Sequence, residues 1–386
     1  MNQTIIQGNL VVGRQILDDH LLIVADGKIT YIGPRRDETP DLICAEGYIV
    51  PGYLDVHVHG SNGHDVMDGS RAALEGISAS LARYGVTGYL ATTLTGGIGD
   101  LRQVLAACRQ FADERPPGAE LLGIHLEGPW INMRHKGAQN AAFVVTPAVE
   151  DADALLQAAG GLLKVVTLAP EHPESHEVIA HLTAHGVQVS VGHSDATYDH
   201  VKEAMNHGLS HVTHCYNAMR PLHHREPGVV GAAMYHDELT TELIADGVHV
   251  HPVAMSILYR LKRANNLVLV SDGMRAVGME DGAYDLGGLD VLLKDGEARL
   301  PDGTLAGSTL TLDRAVQNMV RLCRVPLPEA VEMATATPAR LIGVADRKGR
   351  LAVGHDADFL VLDTELNVVR TYGAGRLLYE KKTTLL

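Results

Sequence analysis

Shortly after a Pro51-Gly52 turn the chain reads Asp55-Val56-His57-Val58-His59. Residues two apart on a β-strand share a face. Leu54, Val56 and Val58 therefore point one way, and Asp55, His57 and His59 the other. Two imidazoles side by side at the end of a strand can hold one metal ion, although the same alternation also occurs on exposed strands that bind nothing. Four other apolar stretches end on residues of the same chemistry. LLGIHLEGP ends at Glu127, VQVSVGHSD at His193, HVTHCYN near His214 and LVLVSDG at Asp272. Singly, Glu127 reads as a helix-cap partner, His193 as a core histidine and Asp272 as a turn residue. If the strands run parallel in a barrel, all their ends lie on one rim, where barrel enzymes keep their chemistry. His57, His59, Glu127, His193, His214 and Asp272 are then expected to meet around a divalent ion.

Imidazole and carboxylate suit Zn²⁺, with Fe²⁺, Co²⁺ or Mn²⁺ as alternatives. An open position on such an ion makes water a nucleophile near neutral pH. Asp272, at the end of an otherwise apolar strand, is the candidate general base and then general acid. His249, in Asp246-Gly247-Val248-His249, reads either as a group that polarises a carbonyl or as a loop histidine. Arg225, flanked by His223, His224 and Glu226, is a local cation for an anionic substrate, since guanidinium makes bidentate contacts to phosphate. The alternative is a solvated surface arginine. Gly192-His193-Ser194-Asp195-Ala196 has Ala where a nucleophile elbow needs its last Gly, and no GxxxxGK[ST] phosphate loop occurs.

The elements that would position these groups are legible as patterns. Apolar runs YLDVHVH, TGYLATT, LLGIHLEG, KVVTLAP, VQVSVGHS, HVTHCYN, TELIADG and LVLVSDG alternate with helical stretches such as DGSRAALEGISASLARYG, TYDHVKEAMNHG and TLDRAVQNMVRLC. Alternating strands and helices signal parallel βαβ units, and eight strands close a (β/α)₈ barrel. Thr337-Pro338 reads as a helix N-cap with proline at the first helical position. Residues 284–305 interrupt the rhythm with a small β excursion turning at Lys294-Asp295-Gly296. Both chain ends are strand-rich. The expectation is an α/β fold: a TIM-like (β/α)₈ barrel over residues 51–344, beside a small β-sandwich built from residues 1–50 and 345–386.

The 386 residues, at ~150 per domain, suit one large unit and a smaller one. A net charge of −15 argues against a nucleic-acid binder and against docking on an anionic membrane. There are 21 histidines against only 3 Phe and 1 Trp, which fits a histidine-built site. Cys44, Cys108, Cys215 and Cys323 form no CxxC, as expected of reduced thiols in a cytoplasm. The first residues lack a signal-peptide pattern, and no apolar run approaches the ~18 residues of a membrane span.

The blocks PGYLDVHVHGSNGHD, HLEGPWINMRHKGAQN, VGHSDATYD, THCYNAM, HHREPGVVGAAM, ADGVHVHP, SDGMRAVGM, LAGSTLT and GRLAVGHDADFLVLD run in order from about residue 48 to 363. Together they resemble the N-acetylglucosamine-6-phosphate deacetylase family of the amidohydrolase superfamily. The resemblance implies hydrolysis of the N-acetyl group of N-acetylglucosamine 6-phosphate to acetate and glucosamine 6-phosphate. By motif, Glu127, His193 and His214 match the primary metal ligands, and Asp272 the proton-transfer residue at the metal. His249 matches the group that polarises the acetyl carbonyl. Arg225 matches a phosphate clamp that can reach a neighbouring subunit's site, implying a homodimer or homotetramer. Ala138, Gln139, Asn217 and Ala218 match substrate-contacting positions, and Leu305-Ala306-Gly307 a loop lining the pocket. The family divides over the HxH strand; with His57 and His59 present, one or two ions are expected, Glu127 bridging if there are two. Gln139 stands where the family often has His, and Gln cannot carry charge. The sister reaction on N-acetylgalactosamine 6-phosphate is the nearest alternative. A cyclic-amide hydrolase or deaminase is more distant, since the strand ending in Glu127 offers no lysine for carbamylation. A non-catalytic metal- or sugar-phosphate-binding regulator would have no use for Asp272.

Overall fold

Four strands open the chain: β1 (Gln3–Val12), β2 (Gln15–Ala25), β3 (Lys28–Pro34) and β4 (Leu42–Pro51). β1 pairs antiparallel with β2 and parallel with β4. This computed structural model describes residues 3–382; the tips of the two outer segments, residues 1–2 and 383–386, lie outside the described residues.

Eight parallel strands follow: β5 (Tyr53–Val58), β6 (Val86–Thr92), β7 (Glu120–Glu127), β8 (Leu163–Leu168), β9 (Gln188–Val191), β10 (Leu209–Val212), β11 (Thr240–Ile244) and β12 (Leu267–Val270). Each corresponds to one of the eight apolar runs. β5 is buried along its whole length, because a barrel strand is covered inside by its neighbours' side chains and outside by helices. The sheet runs β5 to β12 in order. Its seam closes where His57 O accepts from Asp272 N–H at 2.9 Å and Gly273 O from His59 N–H at 2.8 Å. The outer helices follow local rules. In α1 (Arg71–Arg83), Ser70 caps the Ala73 N–H, and Leu74, Ile77 and Leu81 form the buried stripe.

Past β12 the chain makes the expected β excursion: β13 (Gly282–Leu286), β14 (Leu289–Lys294) and β15 (Glu297–Arg299), an antiparallel three-stranded sheet. The turn falls on Asp295 and Gly296, both at positive φ (52° and 83°), as a two-residue hairpin loop requires. Its own apolar cluster, including Leu94, Met274, Leu286, Val291 and Ala306, packs it against the barrel rim. One expectation is corrected here. The helix containing Pro338 starts at Ala336 with Thr335 at its N-cap. Thr337 lies inside it, and its hydroxyl donates to Ala264 O at 2.6 Å. Proline is tolerated anywhere in a first turn, so the dipeptide alone did not locate the cap.

β16 (Phe359–Leu362), β17 (Val368–Gly373) and β18 (Arg376–Glu380) return to the first sheet. Its seven strands run β18-β17-β16-β4-β1-β2-β3. The sheet curls until its far edge meets the segment before β16: Ile29 N–H donates to His355 O at 3.0 Å and Ala357 N–H to Gly27 O at 2.9 Å. Ile6, Leu22, Ile29, Ile49 and Phe359 fill the space enclosed. A buried charge cluster joins this sheet to the base of the barrel. Lys348 Nζ, 2% exposed, lies 2.5 Å from Asp358, 2.8 Å from Glu120 at the start of β7 and 3.1 Å from Asp356.

Removing one member of a buried ion cluster strands the others without a countercharge. Lys348→Met is therefore expected to destabilise the protein by ~3–5 kcal/mol, read as a lowered urea midpoint. An unchanged midpoint would show that this cluster does not hold the two parts together.

Candidate functional site

The barrel rim gathers every ligand-type residue expected from the strand ends. Glu127, at the end of β7 and 2% exposed, is their common partner. Its Oε1 lies 3.1 Å from His193 Nε2, 3.1 Å from His214 Nε2 and 3.5 Å from His57 Nε2. Its Oε2 lies 3.3 Å from His59 Nε2. Asp272 Oδ1 approaches His59 Nε2 at 3.2 Å and His57 Nε2 at 3.4 Å. Two ligand groups overlap at Glu127, His57/His59/Glu127 and Glu127/His193/His214, and a third, His57/His125/Glu242, shares His57.

The backbone turns sharply to aim these side chains inward. His193, His214 and Asp272 sit at φ values of 48°, 29° and 49°, a left-handed region that costs non-glycine residues ~1–3 kcal/mol each. Neighbouring hydrogen bonds hold them there. His193 O accepts from Asn132 N–H at 2.8 Å, and Asp272 O from Ser308 N–H at 2.7 Å. His214 N–H donates to Glu242 Oε2 at 3.0 Å. Directly after Glu127, Gly128 adopts φ +78°, and a Cβ there would lie 2.2 Å from Thr95 Oγ1. Only glycine fits that turn.

Three of the four imidazoles have an acceptor at Nδ1. His57 Nδ1 meets Glu242 Oε2 at 2.9 Å, His59 Nδ1 meets Thr92 O at 3.2 Å and His193 Nδ1 meets His135 O at 2.9 Å. An acceptor at Nδ1 keeps a proton there and leaves the Nε2 lone pair free to face a ligand. All four Nε2 atoms face Glu127. A buried carboxylate with imidazole lone pairs aimed at it is the donor set of a borderline divalent ion, so the residues fit a metal. The same crowding sets the charges. Burial disfavours ionised Glu127, but His57 and His193 hold its carboxyl well below the usual range. Burial likewise opposes charge on His59, yet hydrogen bonds to Asp272 and Glu127 raise its pKa to about 9. Asp272 is held below the ordinary carboxylate value, burial being outweighed by His57 and His59.

Glu127, His59, His193 and His214 form the floor of a cavity of about 490 Å³, with His57 buried beneath them. His249 and Asp272 border it together with Asn217, Ala218, Leu305 and Gly307. His249 Nδ1 donates to Asp246 Oδ2 at 2.5 Å. Burial lowers the His249 pKa, but Asp246 more than offsets this and favours a proton on the ring. Ala138 and Gln139 also border the cavity. The Gln139 amide, however, is engaged on both sides: it donates to Glu127 Oε2 and accepts from Thr95 N–H, each at 2.7 Å. Ala306 faces away, fully buried in the cluster behind the loop, so only Leu305 and Gly307 of that triplet reach the cavity. Arg225 does not reach it either. It is exposed, with Nη1 2.7 Å from His224 Nε2. The cations bordering the cavity in this chain are Arg134 and Lys136, both in the quoted block HLEGPWINMRHKGAQN but assigned no role from sequence. Glu242 and Asp246 were likewise missed. Glu242 had a signal: an acid near the start of the apolar run TELIADG.

If Glu127 anchors an ion, zinc at ~100 times its dissociation constant adds about 2.7 kcal/mol of stability. Zinc is expected to raise the melting temperature of the metal-free wild type and to leave that of Glu127→Gln nearly unmoved. Equal increments in the two proteins would remove Glu127 from the ion's ligands.

Residues 48–381 match the amidohydrolase family. The chain is 38% identical to the N-acetylglucosamine-6-phosphate deacetylase of Bacillus subtilis (strain 168), over 97% of this chain and 96% of that protein. It is 40% identical to the N-acetylgalactosamine-6-phosphate deacetylase of Escherichia coli O157:H7, over 94% and 95%. Among solved structures it resembles a variant of the Mycobacterium smegmatis N-acetyl-D-glucosamine-6-phosphate deacetylase in complex with N-acetyl-D-glucosamine-6-phosphate. There the TM-score is 0.94 and the identity 31%, covering 98% of this chain and 100% of that one. The enzyme of the same description from Thermotoga maritima superimposes with a TM-score of 0.89 at 33% identity, again covering 98% and 100%. The chain belongs to the amidohydrolase family, on the branch that carries the N-acetylglucosamine-6-phosphate deacetylases.

Proposed function

We infer that the protein removes the N-acetyl group of N-acetylglucosamine 6-phosphate by hydrolysis, releasing acetate and glucosamine 6-phosphate. The observation that carries this is Glu127 meeting four imidazoles on the floor of a cavity that also presents Asp272 and His249. Glu127, His193 and His214 would hold one divalent ion, zinc by preference of the donor set. His57 and His59, with Glu127, would hold a second. An ion so held would supply Lewis acidity toward the amide carbonyl and the attacking water.

The chain's own side chains do the rest. Asp272, ionised at neutral pH, removes a proton from the attacking water as its oxygen bonds to the acetyl carbon. His249, braced by Asp246, donates from Nε2 to the carbonyl oxygen as negative charge develops there. Asp272 then passes its proton to the amine nitrogen, and the C–N bond breaks. The water is thereby divided between acetate and amine, and Asp272 regains its charge. Asn217, Ala218, Ala138 and Leu305 shape the sugar subsite. Gln139 acts chiefly through Glu127, which it grips.

The 6-phosphate needs a cation, and Arg225 supplies it across a subunit boundary. Two features support that arrangement: Arg225 is exposed away from its own cavity, and Val253, Ile257 and Leu261 form a one-sided apolar stripe on the helix Pro252–Asn266, each 44–60% exposed. Such stripes mark association surfaces, and a homodimer is the simplest closed form. The catalytic unit in this reading is residues 51–344, with the described parts of 1–50 and 345–386 forming the outer β unit. Four free cysteines suit a reducing cytoplasm, and among the described residues no helix is long and apolar enough to cross a membrane. The galacto epimer is the second reading, favoured by the 40% identity to the E. coli O157:H7 protein.

Acetate release from a panel of 6-phosphorylated N-acetylhexosamines, with metal content measured on the same preparation, tests the assignment; no release from any of them would reject it. Asp272→Asn is expected to bind substrate and to lose ~10²- to 10⁴-fold or more in kcat. Near-normal turnover would remove its role. Arg225→Ala is expected to raise KM for phosphorylated substrates by about 10- to 100-fold, as for a lost charge-assisted contact, and to leave unphosphorylated ones nearly unaffected. Equal losses on both would reject the clamp.

A further inference from the structure

The interior layer beneath the metal ligands is polar where a barrel core is ordinarily apolar. Ser190, Thr213 and Thr167 form a hydroxyl chain, with contacts of 2.6 and 2.7 Å, that reaches His125 Nε2 at 2.7 Å. His125 Nδ1 in turn donates to Val56 O at 3.0 Å. An acid stands in this layer too: Glu242, fully buried at the centre of β11. It accepts from His57 Nδ1 at 2.9 Å, from His211 Nε2 at 3.1 Å and from the His214 backbone N–H at 3.0 Å.

We propose that Glu242 is a positioning residue for the metal centre, fixing the His57 ring so that its Nε2 lone pair is presented to the ion shared with His59 and Glu127. The role rests on the metal reading of the site and adds to it. His57 differs from its fellow ligands in one respect. The Nδ1 atoms of His59 and His193 are held by backbone carbonyls, which any sequence supplies. The Nδ1 of His57 is held by a side chain, so its tautomer and orientation depend on residue 242. With Nδ1–H directed to Glu242, Nε2 points at His59 Nε2 (3.3 Å), Asp272 Oδ1 (3.4 Å) and Glu127 Oε1 (3.5 Å). A carboxylate on the far nitrogen also makes the near lone pair a stronger donor than a neutral acceptor would. A fully buried carboxylate is costly to place in a barrel core. A structural polar layer built on hydroxyls alone would not need one.

The test is zinc affinity of the metal-free protein, measured by competition with chelators of graded strength. Glu242→Gln keeps the shape and removes the charge. It is expected to weaken the ion that His57 contacts by ~10- to 100-fold. In a His57→Gln background the same change is expected to cost nothing further, because the effect runs through that ring. Wild-type affinity in Glu242→Gln would overturn the proposal, and so would a loss that persists in full without His57. If the variant does not fold, the imidazole ¹⁵N resonances of the zinc-loaded wild type decide: a His57 proton on Nδ1 supports the assignment, and one on Nε2 overturns it. A wild-type chain that takes up no divalent ion would overturn the metal reading as well. That outcome is distinct from a zinc-binding chain indifferent to residue 242.

Discussion

A carboxylate with 2% of its surface exposed stays ionised only if other groups replace the water it has lost. Glu127 meets that condition with partners from five directions: His57 and His59 from β5, His193 after β9, His214 after β10, and the Gln139 amide from the loop after β7. The five partners arrive on four different stretches of chain, so the site exists only when the barrel is closed. Closure and ligand assembly are one event. The bonds that seal the seam run from Asp272 N–H to His57 O and from His59 N–H to Gly273 O, and thus pass through three of the site's own residues. Disturbing the seam by a residue would turn His57 and His59 away from the axis, because strand side chains alternate faces.

Around that anchor the fold divides its labour between rigid and shaped parts. The left-handed backbone at His193, His214 and Asp272 is a local cost that the barrel's continuous core outweighs. The three-stranded excursion has its own apolar cluster, so Leu305 and Gly307 are presented from a packed base rather than from a free loop. The outer sheet touches none of this chemistry. Its Lys348 cluster grips the opposite, N-terminal end of β7, the strand whose other end carries Glu127.

Much of this was legible in the sequence because it depends on residues close along the chain. Parity places His57 and His59 on one face, and the apolar runs end where the ligands stand. Parallel topology then brings those ends together without any further information. What could not be read depends on contacts between strands. That Glu242 would meet His57 follows from the barrel bringing β11 and β5 to one interior layer, which no spacing encodes. Gln139 was expected to contact substrate because it lies in the right motif; it borders the cavity, and its amide also binds Glu127 and Thr95, which no spacing encodes. Arg225 was expected to serve a phosphate, with reach into a neighbouring subunit's site, and within one chain it lies outside its own cavity. The Thr337 hydroxyl was expected to cap a helix, and a carbonyl 73 residues earlier took it.

The charges at the centre carry a further consequence. Glu127, Asp272 and Glu242 bring three negative charges into a buried volume whose imidazoles are neutral when they act as ligands. One divalent ion leaves that volume short of neutrality by a single charge, and two exceed it by one. Protons on the imidazoles are the other way to reach balance, and the carboxylates that would favour an ion also favour them: burial disfavours charge on His59, but Asp272 and Glu127 outweigh it and raise its pKa to about 9. Ion and proton therefore compete for the same lone pairs, and ion uptake strengthens as pH rises. Holding one proton of His57 on Nδ1 leaves Nε2 as the contested lone pair, and the Glu242 carboxylate makes that lone pair a stronger donor to ion and proton alike, against the cost of burial.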